Sequence, residues 1–381
     1  SICLLAALLS AVVPGIARAG DFPIKAKQAI LIDADSGAVL LQHNADQLMF
    51  PASMSKIIAL LLIFKALKNG QVKADDMVMM SQNAWRKGGA VSNTSAMMVP
   101  VNTRERLDQM VLGIIVQSGN DASIAVAEHI AGSEEAFAKQ MEDEARRIGL
   151  RKSTFRNATG LHHPEHQTTA RDLAVAARYL LREYPEFYAQ FGQREFNYRK
   201  HRFFNRNPLL SLPLGVDGIK TGHTSQAGYG IVASAKQDSR RIILVVNGYE
   251  READRKSEAA KLIEWGFRSF GEFRLFDEGA SVGEARVFGG ERMYVPLTGN
   301  GPVSVVLPKL PANQKLKAEI VYRGPLMPPI AKGDPVAKLR VTSSSGASSE
   351  VQLFAGADVA KGPMWRRGLD SLLHLSMKWM R

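Results

Sequence analysis

The sequence predicts an α+β protein: a mixed domain of helices and antiparallel sheet around a buried central helix, then a small all-β domain and a C-terminal amphipathic helix. Three observations predict it. Ile57 to Leu67 is apolar on nearly every side, with no Gly or Pro before Gly70, which marks a helix sunk in a core. β-branched runs flank it at Ala29–Ile32 and Ala38–Leu41 and again at Gly228–Ala235 and Arg241–Val246. From Gly271 to Phe354 the chain is short β-rich runs punctuated by Gly and Pro, with no helical period. The chain has 381 residues, too many for one small domain and enough for two.

The first segment, Ile2 to Val13, is apolar and ends at Pro14-Gly15, with Ala17-Arg18-Ala19 behind it. This reads as the h-region and cleavage site of a secretory signal whose basic n-region is cut off, so residues 1–19 are expected to be removed. A retained membrane anchor is the alternative, but the run is short for one. The single cysteine, Cys3, falls inside this segment, so the exported protein needs no disulfide. The chain carries a net charge of +12. Outside the cytoplasm that favours anionic lipid or an anionic polymer as partner over nucleic acid.

Asp33-Ala34-Asp35-Ser36-Gly37 is a turn between the first two strands. Pro51 opens the central helix and Asn69-Gly70 closes it. At its start stands Pro51-Ala52-Ser53-Met54-Ser55-Lys56. Ser53 and Lys56, three apart, share one helical face. A lysine shielded from water can take a proton from a serine hydroxyl and make it a nucleophile, and the helix start favours an oxyanion. The plain alternative has Ser53 capping the helix and Lys56 reaching out to solvent.

Asp76–Met80 suggests a short strand. Asn102 or Thr103 can cap a helix bearing Leu107, Met110, Val111 and Ile114, and further helices are expected over Ala122–Ile130 and Glu134–Ile148. Ser118-Gly119-Asn120-Asp121 lies in the loop between two of them. Ser118 or Asn120 could simply cap the next helix, and Ser81-Gln82-Asn83 matches Ser-x-Asn equally well. His162 to His166 fits His-x-x-Glu-His, a zinc pattern, but Pro164 inside it opposes the helix that pattern needs. No metal site is expected there, only a loop near a site, followed by a helix from Thr169 to Arg182. Lys220-Thr221-Gly222-His223 is placed on a strand antiparallel to the later β runs, with Gly222 allowing close approach. A helix over Asp254–Phe267 has Arg255 at its start, ready for an anionic group or merely solvated.

The last twenty residues put Trp365, Leu369, Leu372, Leu373, Ser376, Trp379 and Met380 on one helical side and Arg367, Asp370, His374, Lys378 and Arg381 on the other. This describes a helix lying in a membrane interface, with docking onto the β domain as the alternative. The expected domains are thus 20–270, a β-rich 271–358 and an amphipathic 359–381.

Ser53-x-x-Lys56, Ser118-Gly119-Asn120 and Lys220-Thr221-Gly222 are each short. Their order on a helix start, an inter-helix loop and a strand is the signature set of penicillin-binding proteins and serine β-lactamases. With Asn-Ala-Thr-Gly-Leu at 157–161 and Thr-Thr-Ala-Arg-Asp-Leu-Ala at 168–174, the chain resembles the low-molecular-mass D-alanyl-D-alanine carboxypeptidases of peptidase family S11. The β domain and tail resemble the penicillin-binding protein 5 type. The resemblance implies a β-lactamase/transpeptidase-like fold and removal of the terminal D-alanine from peptidoglycan pentapeptide stems. It implies Ser53 as nucleophile, Lys56 as base, Ser118 as proton relay, and Asn120 and Lys220 as its support. The backbone N–H groups of Ser53 and His223 would form the oxyanion hole, with Thr221 and Arg255 on the substrate carboxylate. It further implies covalent inhibition by β-lactams, no cofactor, and a periplasmic enzyme attached peripherally to the outer face of the inner membrane. A class A β-lactamase would need a Glu-x-x-Leu-Asn between Ser118 and Lys220, and none is present. A DD-endopeptidase and a catalytically weak penicillin-binding scaffold remain alternatives.

Overall fold

The computed structural model describes residues 22–309, 315–343 and 348–364. The expected signal segment and the amphipathic stretch from Trp365 on lie outside the described residues. The chain divides into two units, Phe22–Arg268 and the residues from Ser269 onward.

The first unit is built on a five-stranded antiparallel sheet. β1 (Gln28–Asp33) and β2 (Val39–His43) form the expected hairpin. α1 (Lys56–Lys68) follows, with every residue buried except Lys65, Leu67 and Lys68. Next come β3 (Met77–Met79), α2 (Gln82–Gly88), β4 (Arg104–Arg106), α3 (Leu107–Leu112), α4 (Asn120–Ala131), α5 (Glu134–Arg147), α6 (Ala170–Glu183) and α7 (Pro185–Tyr188). After a small hairpin, β5 (Glu195–Tyr198) and β6 (His201–Phe204), the chain completes the sheet with β7 (Val216–Thr224), β8 (Gly228–Gln237) and β9 (Arg240–Tyr249). The strand order is β2-β1-β9-β8-β7, so β1 runs beside the last strand and β7 is an edge. α8 (Glu252–Ser269) ends the unit.

Strand alternation divides the core. Ile30 and Ile32 of β1 and Ile243 and Val245 of β9 point into one cluster with α1, α3, α4 and α6. Leu31 and Ile242 point to the opposite face, where Gly266 of α8 lies against both. α1 therefore sits between the sheet and the other helices, and its apolar-all-round sequence follows from that position. Phe64 stacks on Phe187 at 4.7 Å between centroids.

Three local expectations are corrected. The helix expected to be capped by Asn102 or Thr103 begins instead at Leu107, because Arg104–Arg106 pairs with β3 as a strand and Asn102 takes a left-handed φ of 60°. α2 was not foreseen, and Ser81 is its N-cap, accepting from Ala84 N at 2.9 Å. The rival Ser-x-Asn at 81–83 is thus a helix start. Conversely, α4 has no side-chain cap, so neither Ser118 nor Asn120 is spent on capping.

The second unit is all-β. β10 (Phe270–Phe276) pairs with β13 (Val303–Pro308). β11 (Ser281–Arg286), β12 (Tyr294–Thr298), β16 (Ser348–Ala355), β15 (Pro335–Ser343) and β14 (Leu316–Val321) form a five-stranded sheet in that order. Val295, Leu297, Val305, Leu307, Leu339 and Leu353 share one core across the two sheets. The β pairing reaches past 358: Val359 bridges Ile330 and Lys361 bridges Gly290. Among the described residues no helix is long and apolar enough to cross a membrane.

Candidate active site

Ser53 sits on a 3₁₀ turn, Ala52–Ser55, that leads into α1, rather than in the first turn of the α-helix itself. Ala52 holds a φ of 48° there. The turn leaves the Ser53 side chain partly exposed while Lys56 is wholly buried. Lys56 Nζ lies 3.0 Å from Ser53 Oγ, 2.6 Å from Asn120 Oδ1 and 2.6 Å from the Thr159 carbonyl oxygen. The reading in which Lys56 reaches out to solvent is overturned. Burial, and then the nearby Lys220 charge, push its amine well below the ordinary lysine range.

A neutral amine has two hydrogens and one lone pair. The two carbonyl oxygens can only accept, so they take both hydrogens. The lone pair is left facing the Ser53 hydroxyl, the orientation a general base requires.

The third contact explains the Asn-Ala-Thr-Gly-Leu segment. Asn157 Oδ1 accepts from Thr159 N, Thr159 Oγ1 and Gly160 N, and its Nδ2 donates to Leu161 O, folding the loop into a tight turn. Gly160 has a φ of 79°, and a Cβ there would overlap the Ala52 carbonyl oxygen. Only glycine lets this loop press on the Ser53 turn with the Thr159 carbonyl at Lys56.

The second motif comes from the loop before α4. Ser118 takes a left-handed φ of 63° at the end of a π turn over Gly113–Gln117. Its Oγ is buried and has no hydrogen-bond partner among the described residues. Two residues on, Asn120 presents Oδ1 to Lys56 and donates from Nδ2 to Thr94 Oγ1 at 2.9 Å. Asp121 is fully buried and accepts from the backbone N–H groups of Met97 and Met98 at 2.8 and 3.0 Å. It thereby pins the 94–99 segment against the motif.

The third motif lies on the edge strand β7. Gly222 passes so near the Ser53 turn that a Cβ would stand 2.7 Å from the Pro51 carbonyl oxygen. Lys220 and Thr221 are buried, and among the described residues Lys220 Nζ has only a 3.3 Å contact to the Thr221 carbonyl. Burial, with the Arg206 and Arg255 charges, brings the Lys220 amine down to about 7. His223 is exposed and stacks on Tyr229 at 3.9 Å. Arg255 lies 5.6 Å from the same ring. It is not a solvated arginine: its side chain is 4% exposed, Nη2 binds Glu252 Oε1 at 2.6 Å, and Nε has no partner among the described residues.

Ser53, Lys56 and Asn120 are therefore joined by direct contacts, while the charges of Arg206 and Arg255 bear on buried Lys220. Lys220 and Arg255 are buried cations, each pushed down first by burial and also by the Arg206 charge, and such groups suit an anion. Thr159, Thr94, Asp121, Arg206 and Tyr229 were not foreseen as parts of this site. Only Thr159 and Asp121 had a signal, inside motifs already singled out. The His-x-x-Glu-His stretch is a turn. His162 packs edge-on to Phe50, His163 accepts from Glu165 N, and buried His166 accepts from Arg156 N. Burial pushes His166 down to about 3, so it is neutral.

Comparison with known proteins decides the family. The D-alanyl-D-alanine carboxypeptidase family of S11 peptidases matches residues 16–250, and the penicillin-binding protein 5 C-terminal domain matches residues 270–361. The chain belongs to the D-alanyl-D-alanine carboxypeptidase family. It is 36% identical over 359 residues to the D-alanyl-D-alanine carboxypeptidase DacC of Escherichia coli, covering 93% of this chain and 90% of that one. It is 34% identical to DacA of Haemophilus influenzae, over 90% of this chain and 88% of the relative. Among solved structures, penicillin-binding protein 5 from Haemophilus influenzae superposes with a TM-score of 0.78 at 34% identity, covering 90% of this chain and all of that one. The family assignment accords with the mixed domain followed by an all-β one.

Proposed function

We propose that this protein is a serine DD-carboxypeptidase that removes the terminal D-alanine from peptidoglycan pentapeptide stems through an acyl-enzyme on Ser53. One observation carries the assignment of roles: buried Lys56 Nζ stands 3.0 Å from Ser53 Oγ and 2.6 Å from each of two carbonyl oxygens, which for a neutral amine leaves the lone pair to Ser53. In the proposed reaction Ser53 Oγ attacks the carbonyl of the D-Ala–D-Ala bond as its proton passes to Lys56. The oxyanion is taken by the backbone N–H groups of Ser53 and His223, donors that each contribute about 3–4 kcal/mol in comparable enzymes. As the C–N bond breaks, Ser118, with an unengaged hydroxyl, gives its proton to the leaving D-alanine amine and takes in return the proton held by Lys56, which leaves the acyl ester on Ser53. Water then hydrolyses the ester.

Lys220, Thr221, Arg206 and Arg255 are proposed to hold the terminal carboxylate of the stem, with Gly222 giving the substrate access to edge strand β7. Neither a metal nor an organic cofactor takes part in this scheme. β-Lactams are read as carboxylate-bearing mimics that acylate Ser53 and leave slowly. We further propose export through residues 1–19, a catalytic domain over 20–270, a β domain after it, and peripheral attachment to the outer face of the inner membrane through the tail. Intact-mass analysis with benzylpenicillin, followed by peptide mapping, tests the nucleophile. A stable adduct on the peptide holding Ser53 supports it, and an adduct elsewhere refutes it.

A further inference from the structure

The amide of Asn120 is symmetrical in shape, yet only one of its two orientations serves Lys56. Oδ1 toward Nζ takes a hydrogen from the amine, whereas Nδ2 toward Nζ would compete for the lone pair that faces Ser53. What lies on the far side of the amide decides between them. Asn120 Nδ2 is 2.9 Å from Thr94 Oγ1, Thr94 Oγ1 is 2.7 Å from Ser92 Oγ, and Ser92 Oγ is 2.7 Å from the Gly89 carbonyl oxygen.

This chain has one consistent direction. A carbonyl cannot donate, so the Ser92 hydrogen belongs to Gly89 O. Ser92 Oγ then accepts, and it does so from the Thr94 hydroxyl and from Thr94 N at 3.3 Å, filling its two lone pairs. With its only hydrogen turned to Ser92, Thr94 Oγ1 can meet Asn120 only as an acceptor, which requires the amide nitrogen. The segment is anchored independently: Asn120 N donates to Ser95 O at 2.7 Å, and Asp121 pins Met97 and Met98.

We propose that the Gly89–Ser92–Thr94 chain is a positioning device that locks the Asn120 amide with its oxygen on Lys56, and so keeps the Lys56 lone pair on Ser53. Thr94 is its positioning residue. The inference rests on the reading of Lys56 as the base. The other titratable or charged groups coupled to Lys56 are Lys220, Asp121, Arg206, Glu134 and the neutral His166, and none of them belongs to the chain.

The test is the pH dependence of the second-order acylation rate with benzylpenicillin in Thr94→Val and Thr94→Ser. Thr94 is exposed, so neither change threatens the fold. Valine keeps the shape and removes the acceptor, freeing Asn120 to turn its NH₂ toward Lys56. A donor there disfavours the ammonium form and occupies the lone pair of the neutral form. The expected result is a plateau lowered about tenfold, the equivalent of one hydrogen bond. The acid limb should move to lower pH by about half a unit or more, and serine should restore both. An unmoved limb in Thr94→Val overturns the chain, whether or not the plateau falls. Acylation that persists in Lys56→Ala overturns the reading of Lys56 itself, a separate outcome.

Discussion

Two buried lysines in one domain are costly, and each leaves a distinct mark on pH dependence. Lys56 must be neutral to act, so acylation falls as pH falls through its lowered pKa. Lys220 must be charged to hold a carboxylate, and in the free protein it stands at about 7. kcat/KM for a peptide substrate should therefore decline above pH 7. The bound carboxylate raises the Lys220 pKa, so the corresponding limb in kcat should lie at higher pH. Coincident basic limbs in the two profiles would remove Lys220 from the carboxylate site. Stability follows the same sign. Folded Lys220 binds fewer protons than the unfolded chain between about 7 and about 10.4, so folding strengthens as pH rises across that window. Lys220→Met should raise the melting temperature, by roughly 3–10 °C at pH 6 if roughly 1–3 kcal/mol is recovered. Calorimetry at pH 6 and pH 10 checks it: the gain must be smaller at pH 10.

At the scale of elements, the site is the meeting of a 3₁₀ turn, a π turn, an asparagine-built loop and an edge strand. Two glycines set their approach. Gly160→Ala forces a Cβ into the Ala52 carbonyl oxygen and an alanine into a left-handed φ. It should cost about 1–3 kcal/mol and displace the Thr159 carbonyl from Lys56. Acylation by a fluorescent penicillin should fall at least about tenfold in protein that is still folded. Full acylation would mean that the Thr159 contact is dispensable. This is also the scale at which the sequence is least explicit. α1 was legible because a run apolar on all sides has one fate, and β7 to β9 were legible because β-branched runs and a short turn announce a meander. β4 and α2 were not, since Arg104–Arg106 is polar and pairs only through its backbone, and Gln82–Gly88 is too short to show a period. The three motifs named Ser53, Lys56, Ser118, Asn120 and Lys220. A partner that acts through its carbonyl, as Thr159 does, or through charge at a distance, as Arg206 does, leaves no pattern in residue type.

The whole molecule separates chemistry from whatever the β unit supplies. Every residue assigned a part in the reaction lies within Phe22–Arg268. A protein ending at Ser269 should keep kcat/KM on a soluble pentapeptide within about twofold, since it retains the entire site and its core. A larger loss would give the β unit a role in the site. Deleting residues 363–381 from the mature protein tests the attachment proposal: the truncated protein should stay in the supernatant when membranes are pelleted, and co-sedimentation would contradict attachment through the tail.

The most direct test of the account is the release of free D-alanine from a stem pentapeptide ending in D-Ala–D-Ala, with Ser53→Ala measured beside the wild type. Steady release is expected from the wild type, and it should disappear in Ser53→Ala while the variant stays folded. Release that survives the substitution would contradict the account, because among the described residues Ser53 Oγ is the only hydroxyl within hydrogen-bond distance of Lys56 Nζ.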